Sequence, residues 1–168
     1  TYLSWETVLM MLVTLSLYKA MMNLYVKYEN QEMVLSAVCG LELVLSLTWL
    51  VIGISFRNLA AEWLGLSPQL VCCLFASFIF QAVVQCWSLY KRYIYDYKTL
   101  VAVTLLSTVG STLFGVVAVV FVSPTAEARV LSNTIVMALI GIALYYSVFK
   151  KGKKFYDKRI WLFSLVFR

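Results

Sequence analysis

Polar residues in this 168-residue chain do not alternate with apolar ones; they gather into short clusters between long apolar runs. Five runs can be drawn, over residues 3–22, 34–56, 70–89, 99–122 and 130–149, and a sixth begins at Ile160 and is still apolar where the chain stops at Arg168. Each full run approaches the roughly 20 residues that an α-helix needs to cross about 30 Å of hydrocarbon. The helices of a water-soluble bundle would repeat charged positions at helical spacing, and these runs do not. The pattern predicts an all-α integral membrane protein, a polytopic helix bundle in one transmembrane domain over 1–168. Its connections are too short to hold a soluble domain.

Composition agrees, at 62% hydrophobic residues and a mean hydropathy of +0.87. The net charge of +6 is unevenly placed. Six of the 14 Lys and Arg residues lie in 150–159, within Phe-Lys-Lys-Gly-Lys-Lys-Phe-Tyr-Asp-Lys-Arg. In a soluble protein such a cluster suggests a nucleic-acid patch; between two apolar runs it orients a membrane protein. The connections 19–32, 91–98 and 150–159 hold eleven Lys and Arg, whereas 57–68 and 123–129 hold two. Positive charge stays inside, so loops 23–33, 91–98 and 150–159 are expected on the cytoplasmic side. Anionic membrane lipids, not nucleic acid, are the expected partners of this charge. The stretch 87–98 interleaves five aromatic residues with its basic ones, the composition of an interfacial belt. Residues 57–68 read as a polar turn.

The chain opens on Thr1 beside the first run and stops within the sixth, and is expected to be an internal piece of a longer protein. Run 3–22 lacks the basic start and the small-residue cleavage site of a signal peptide. Cys39, Cys72, Cys73 and Cys86 all fall inside apolar runs at spacings that match no zinc or redox motif. No metal site and no cofactor is expected, and no catalytic constellation is visible.

Candidate functional residues are few. Glu42 is a carboxylate about two turns inside the second run, and such groups normally face a cavity or a partner. It is a candidate for substrate binding or proton coupling, for pairing with a base such as Lys19, or for protonated packing. Ser77, Gln81, Gln85 and Ser88 recur at spacings of four, four and three, which stacks them on one helix face. That uncharged polar face suits sugar hydroxyls, and equally suits hydrogen bonding between helices. Lys91, Arg92 and Lys98, with Lys19 and the 150–159 cluster, are candidates for holding a lipid diphosphate by charge-assisted contacts. Ser107, Ser111 and Gly115, with Gly110 alongside, form a small-residue packing face. Asn133 reads as capping or packing.

Several stretches resemble a known family. Tyr-Lys-Ala-Met-Met-Asn-Leu-Tyr-Val-Lys-Tyr-Glu at 18–29, followed by Leu35-Ser36, resembles the connection between the second and third helices of bacterial polysaccharide flippases. Trp-Ser-Leu-Tyr-Lys-Arg-Tyr-Ile-Tyr-Asp-Tyr-Lys-Thr-Leu-Val at 87–101 resembles their fourth-to-fifth connection. Ala128-Arg-Val-Leu131 and Lys151-Gly-Lys-Lys-Phe155 fit the start of the sixth helix and the loop after it. The family is the polysaccharide transporter branch of the multidrug/oligosaccharidyl-lipid/polysaccharide exporter superfamily, which includes O-antigen flippases. The resemblance implies helices two to six and the start of seven, most of one six-helix lobe of a two-lobe transporter in the bacterial cytoplasmic membrane. It implies transfer of an undecaprenyl-diphosphate-linked oligosaccharide between leaflets, with polysaccharide polymerase machinery as a further partner. No bond is made or broken, so the implied activity is not enzymatic.

Three other functions are open from the residues. A multidrug or cation antiporter of the same superfamily would carry intramembrane carboxylates beyond Glu42. A membrane-embedded polysaccharide polymerase would need a large loop bearing catalytic carboxylates or paired arginines. A scaffolding subunit would lack a second lobe. The charge distribution makes one prediction at once. In a full-length protein freed of other cysteines, N30C, D96C and K153C should be shielded from an impermeant thiol reagent in intact cells, while E62C and T125C are labelled. Labelling of K153C from outside would invert the orientation.

Overall fold

The computed structural model describes residues 2–14, 17–121, 125–152 and 157–166. They form eight helices, with no strand among the described residues: α1 (Tyr2–Val13), α2 (Leu17–Lys27), α3 (Gln31–Ser55), α4 (Arg57–Leu64), α5 (Pro68–Tyr93), α6 (Tyr97–Phe121), α7 (Ala126–Gly152) and α8 (Lys158–Val166). Helices α3, α5, α6 and α7 are long and apolar enough to cross a membrane. The molecule is an all-α, multi-pass membrane helix bundle.

Each long helix begins where its sequence supplies a cap. The side chain of Asn30 accepts the Met33 N–H at 3.1 Å, and Ser67 accepts that of Leu70 at 3.4 Å just before Pro68. These side chains satisfy amide groups that the first turn leaves without partners, and Pro68 costs nothing there because its missing N–H would be unused. Ser67 also donates to Glu127 at 2.6 Å, which ties the start of α5 to the start of α7.

Five stretches depart from the sequence expectation. Residues 57–68 are not a turn: α4 occupies most of them, and Gly65 closes it in the left-handed conformation at φ 64°. The run 3–22 is divided between α1 and α2, with Leu15 and Ser16 outside the described residues. The basic segment 91–98 is largely helical, since α5 continues through Tyr93 and α6 starts at Tyr97. Loops 23–33 and 150–159 shorten in the same way, because α2 reaches Lys27, α3 starts at Gln31 and α7 runs to Gly152. The α5–α6 link is a paired-bond cap in which Asp96 N–H bonds to Lys91 C=O and Tyr95 N–H to Arg92 C=O. Tyr95 holds the left-handed position at φ 60°, where glycine is usual. Asp96 then accepts from Lys91 Nζ at 2.6 Å and from the Thr99 hydroxyl at 2.9 Å. The lysine hydrogen bond, with a smaller contribution from Thr99, holds the Asp96 carboxyl down at about 2. Protonation therefore weakens this link only as the pH falls toward that value.

The two ends of the bundle differ. At the end carrying the basic clusters, Val34, Leu35, Ser36, Ala37, Val38, Cys39, Gly40, Leu41 and Glu42 of α3 are all buried, so this half of the helix is covered on every side. Helices α2, α5, α7 and α8 surround it. At the other end α1 packs only lightly on α3 and α5, and α6 lies on α7 with almost all of its surface outside the core. The α6 glycines face α7, Gly110 toward Val136 and Gly115 toward Arg129 and Ser132.

Gly152 marks how close α7 comes to α3. A Cβ there would lie 2.7 Å from the Glu32 carbonyl oxygen and would overlap the Cβ of Ser36. Gly152→Ala should therefore destabilise the protein by about 1–3 kcal/mol, the usual range for overpacking. Gly110→Ala, whose Cβ meets only a Val136 methyl at 3.4 Å, should be neutral or mildly stabilising, because alanine favours helix. Unfolding in mild detergent with a denaturing surfactant measures both, and a stabilising Gly152→Ala would show that this contact is not tight.

Candidate functional site

Midway along α5, Gln81 Nε2 donates a short hydrogen bond to Glu6 Oε1 of α1 and lies 3.5 Å from Ser77 Oγ. Ser77 is buried and donates to the Leu74 carbonyl at 2.8 Å. Around the Glu6–Gln81 contact is a cleft of about 500 Å³ between α1, α5 and α7. Glu6 and Thr7 of α1, Thr14 just after it, Gln81 and Gln85 of α5 and Asn133 of α7 give it polar groups, and Met10, Met11, Val84 and Met137 give it apolar wall. A second cleft, of about 670 Å³, runs between α1, α6 and α7 and also contains Glu6 and Asn133, together with Tyr2, Ser111 and Arg129. Both lie in the half of the bundle where α1 packs lightly.

Polar groups at such depth are costly in hydrocarbon and are kept where they have partners or line a cavity. Gln81 serves both ends of that requirement, as donor to a carboxylate on one side and neighbour to a serine on the other. The result is a mixed wall: one carboxylate, three amide side chains and two hydroxyls, set among methionines that adapt their shape readily. Such a surface can hydrogen-bond a polyhydroxylated molecule or hold a cation at Glu6.

The structure sorts the sequence candidates into three places. Gln81 and Gln85 line the cleft, with Ser77 just behind Gln81. Glu42 lies elsewhere. It is 1% exposed, its Oε2 accepts from the Cys86 thiol at 3.0 Å, and it belongs to the closed basic-end half of α3. The positively charged candidates are at that end too. Lys91 is paired with Asp96 and sits 5.6 Å from the centre of the Trp87 ring, beside a cavity of about 180 Å³ that Glu32, Tyr90, Thr99 and Lys151 also line. Arg92 and Lys98 are exposed. The side chain of Lys19 and residues 153–156 lie outside the described residues.

Glu6 and Asn133 are the residues that sequence reasoning did not place at the site. Glu6 had a visible signal, a carboxylate inside an apolar run. Asn133 is seven positions inside α7, well past any cap, and lines both clefts. Comparison with known proteins adds no identity: the chain matches no family model, no curated protein and no solved structure.

The Glu6–Gln81 contact is directly testable. A hydrogen bond to a charged group contributes about 1.5–3 kcal/mol. A double-mutant cycle on Glu6→Ala and Gln81→Ala, read by unfolding in detergent, should therefore give a coupling of about 1.5 kcal/mol. Additive effects would mean that the two side chains do not interact in the membrane protein.

Proposed function

We propose that this chain is part of a lipid-linked oligosaccharide flippase of the bacterial cytoplasmic membrane, supplying most of one lobe of a two-lobe transporter. The observation that carries the reading is the cleft between α1, α5 and α7, whose wall presents the amides of Gln81, Gln85 and Asn133 and the hydroxyls of Thr7 and Thr14. Sugars are recognised through their hydroxyl groups, and Gln81, Gln85 and Asn133 each offer both a donor and an acceptor. The resemblance of residues 18–29, 87–101 and 128–131 to polysaccharide flippases supports the same reading, as does the excess of basic residues on alternate connections. Substrate sites of secondary transporters lie near the bilayer midplane, and alternating access comes from rocking of one half against the other. In this reading the undecaprenyl diphosphate rides beside the basic end, where Lys91 and Lys151 flank a small cavity, and the glycan occupies the cleft.

A second reading has a specific observation in its favour. Glu6 is an intramembrane carboxylate beyond Glu42, and it faces the cleft that Glu42 does not. A cation or drug antiporter of the same superfamily would use such a group to hold a positively charged substrate.

A strain lacking the full-length protein separates these functions. If the protein is a flippase, lipid-linked repeat units are built normally but stay inaccessible to an impermeant lectin or to periodate, and the polysaccharide is missing from the surface. Exposed but unpolymerised units would point instead to a polymerase. Normal surface polysaccharide with increased sensitivity to cationic drugs would favour the antiporter.

A further inference from the structure

Helix α4 divides its surroundings three ways. At about 100° per residue, Leu59 and Trp63 fall within roughly 40° of one another on the helix circumference, and Phe56 caps the helix just before its first residue. All three are exposed, Trp63 at 84%. The adjoining arc, Ala60, Ala61 and Leu64, packs onto the cluster formed by Val71, Leu74 and Phe75 of α5. The remaining arc holds Asn58 and Glu62, both exposed. A helix floating in water between two spans would have no reason to present a tryptophan, a leucine and a phenylalanine on a face its own bundle leaves bare.

The position of α4 says what covers that face. It joins the end of α3 directly to the start of α5, so it lies at the level where two membrane-crossing helices leave the hydrocarbon. The last turns of α3 that lead into it expose Val51, Ile52 and Ile54, apolar side chains that meet lipid in a membrane-crossing helix. Tryptophan is enriched at this level because its ring is apolar and its N–H is polar. A helix with one apolar and one charged face settles in the plane of the interface, its apolar side at the boundary of headgroups and chains.

We propose that α4 is an interfacial anchor, with Phe56, Leu59 and Trp63 in the lipid headgroup–chain boundary and Asn58 and Glu62 in water. The Gly65 cap turns the chain back into the membrane, and Ala61 packs the anchor onto the start of α5. The anchor thereby fixes the height of the start of α5 in the leaflet.

Spin labelling tests this in the full-length protein with its four native cysteines in this region of chain replaced by alanine, reconstituted in vesicles of phosphatidylcholine and phosphatidylglycerol. Nitroxides on L59C and W63C should collide preferentially with oxygen, which concentrates in lipid. Nitroxides on N58C and E62C should collide preferentially with a water-soluble nickel chelate. Labels at 59 and 63 that meet the chelate as freely as those at 58 and 62 would overturn the proposal by placing α4 in water. Labels at 59 and 63 shielded from both reagents would overturn it in favour of protein cover, whether a second copy or another partner. A parallel measurement keeps the native cysteines. The fluorescence lost on Trp63→Phe should be the component quenched most strongly by lipids brominated near the headgroup end of the chain, and a lost component that such lipids do not quench would also overturn the proposal.

Discussion

Close wrapping of the first half of α3 is the constraint on which the rest of the bundle depends. Nine consecutive buried residues, from Val34 to Glu42, cover more than two turns of helix. No single neighbour can bury a helix on all sides, so α2, α5, α7 and α8 must each take part of its circumference. Lipid is as apolar as leucine, so the drive for this arrangement is not exclusion from water but packing and hydrogen bonding. Gly152 lets α7 approach the Glu32 carbonyl, and Trp161 of α8 donates its ring N–H to the Ala37 carbonyl at 2.8 Å. One end of the molecule is thereby closed.

The closed end obliges the other end to be looser. Helix α1 meets α3 and α5 at few points, and both clefts lie beside it. The two intramembrane carboxylates fall on opposite sides of this division. Glu42 lies in the wrapped half and accepts from Cys86, which belongs to one core with Val38, Cys39, Val83 and Tyr145. Glu6 lies in the loose half, bonded to Gln81 and partly open to the cleft. The first is enclosed by packed side chains, and the second borders open space.

Much of the architecture was legible in the residues because its causes are local. A segment in lipid satisfies its own backbone groups by forming helix, and four of the five apolar runs, 34–56, 70–89, 99–122 and 130–149, correspond to helices long enough to cross a membrane, whereas 3–22 is divided between α1 and α2. The helix starts at Asn30 and at Ser67-Pro68, which the runs alone do not mark, also have local causes in short-range capping chemistry. The α4 helix was missed because its eight residues mix charged and apolar side chains at a membrane surface, where the apolar face has lipid rather than core to meet.

What the sequence by itself determined is the class of protein: helices crossing a membrane, joined by short connections with basic residues on alternate ones. Which face of each helix meets which neighbour was decided only by tertiary structure. The physical reason is that a membrane helix is apolar all round, so periodicity carries no indication of its inner face, as it does in water. Glu42, Ser77, Gln81 and Gln85 were all visible as polar interruptions, yet only the packing of α1 against α5 joins Gln81 to Glu6. Only the turn-by-turn wrapping of α3 withdraws Glu42 from the cleft.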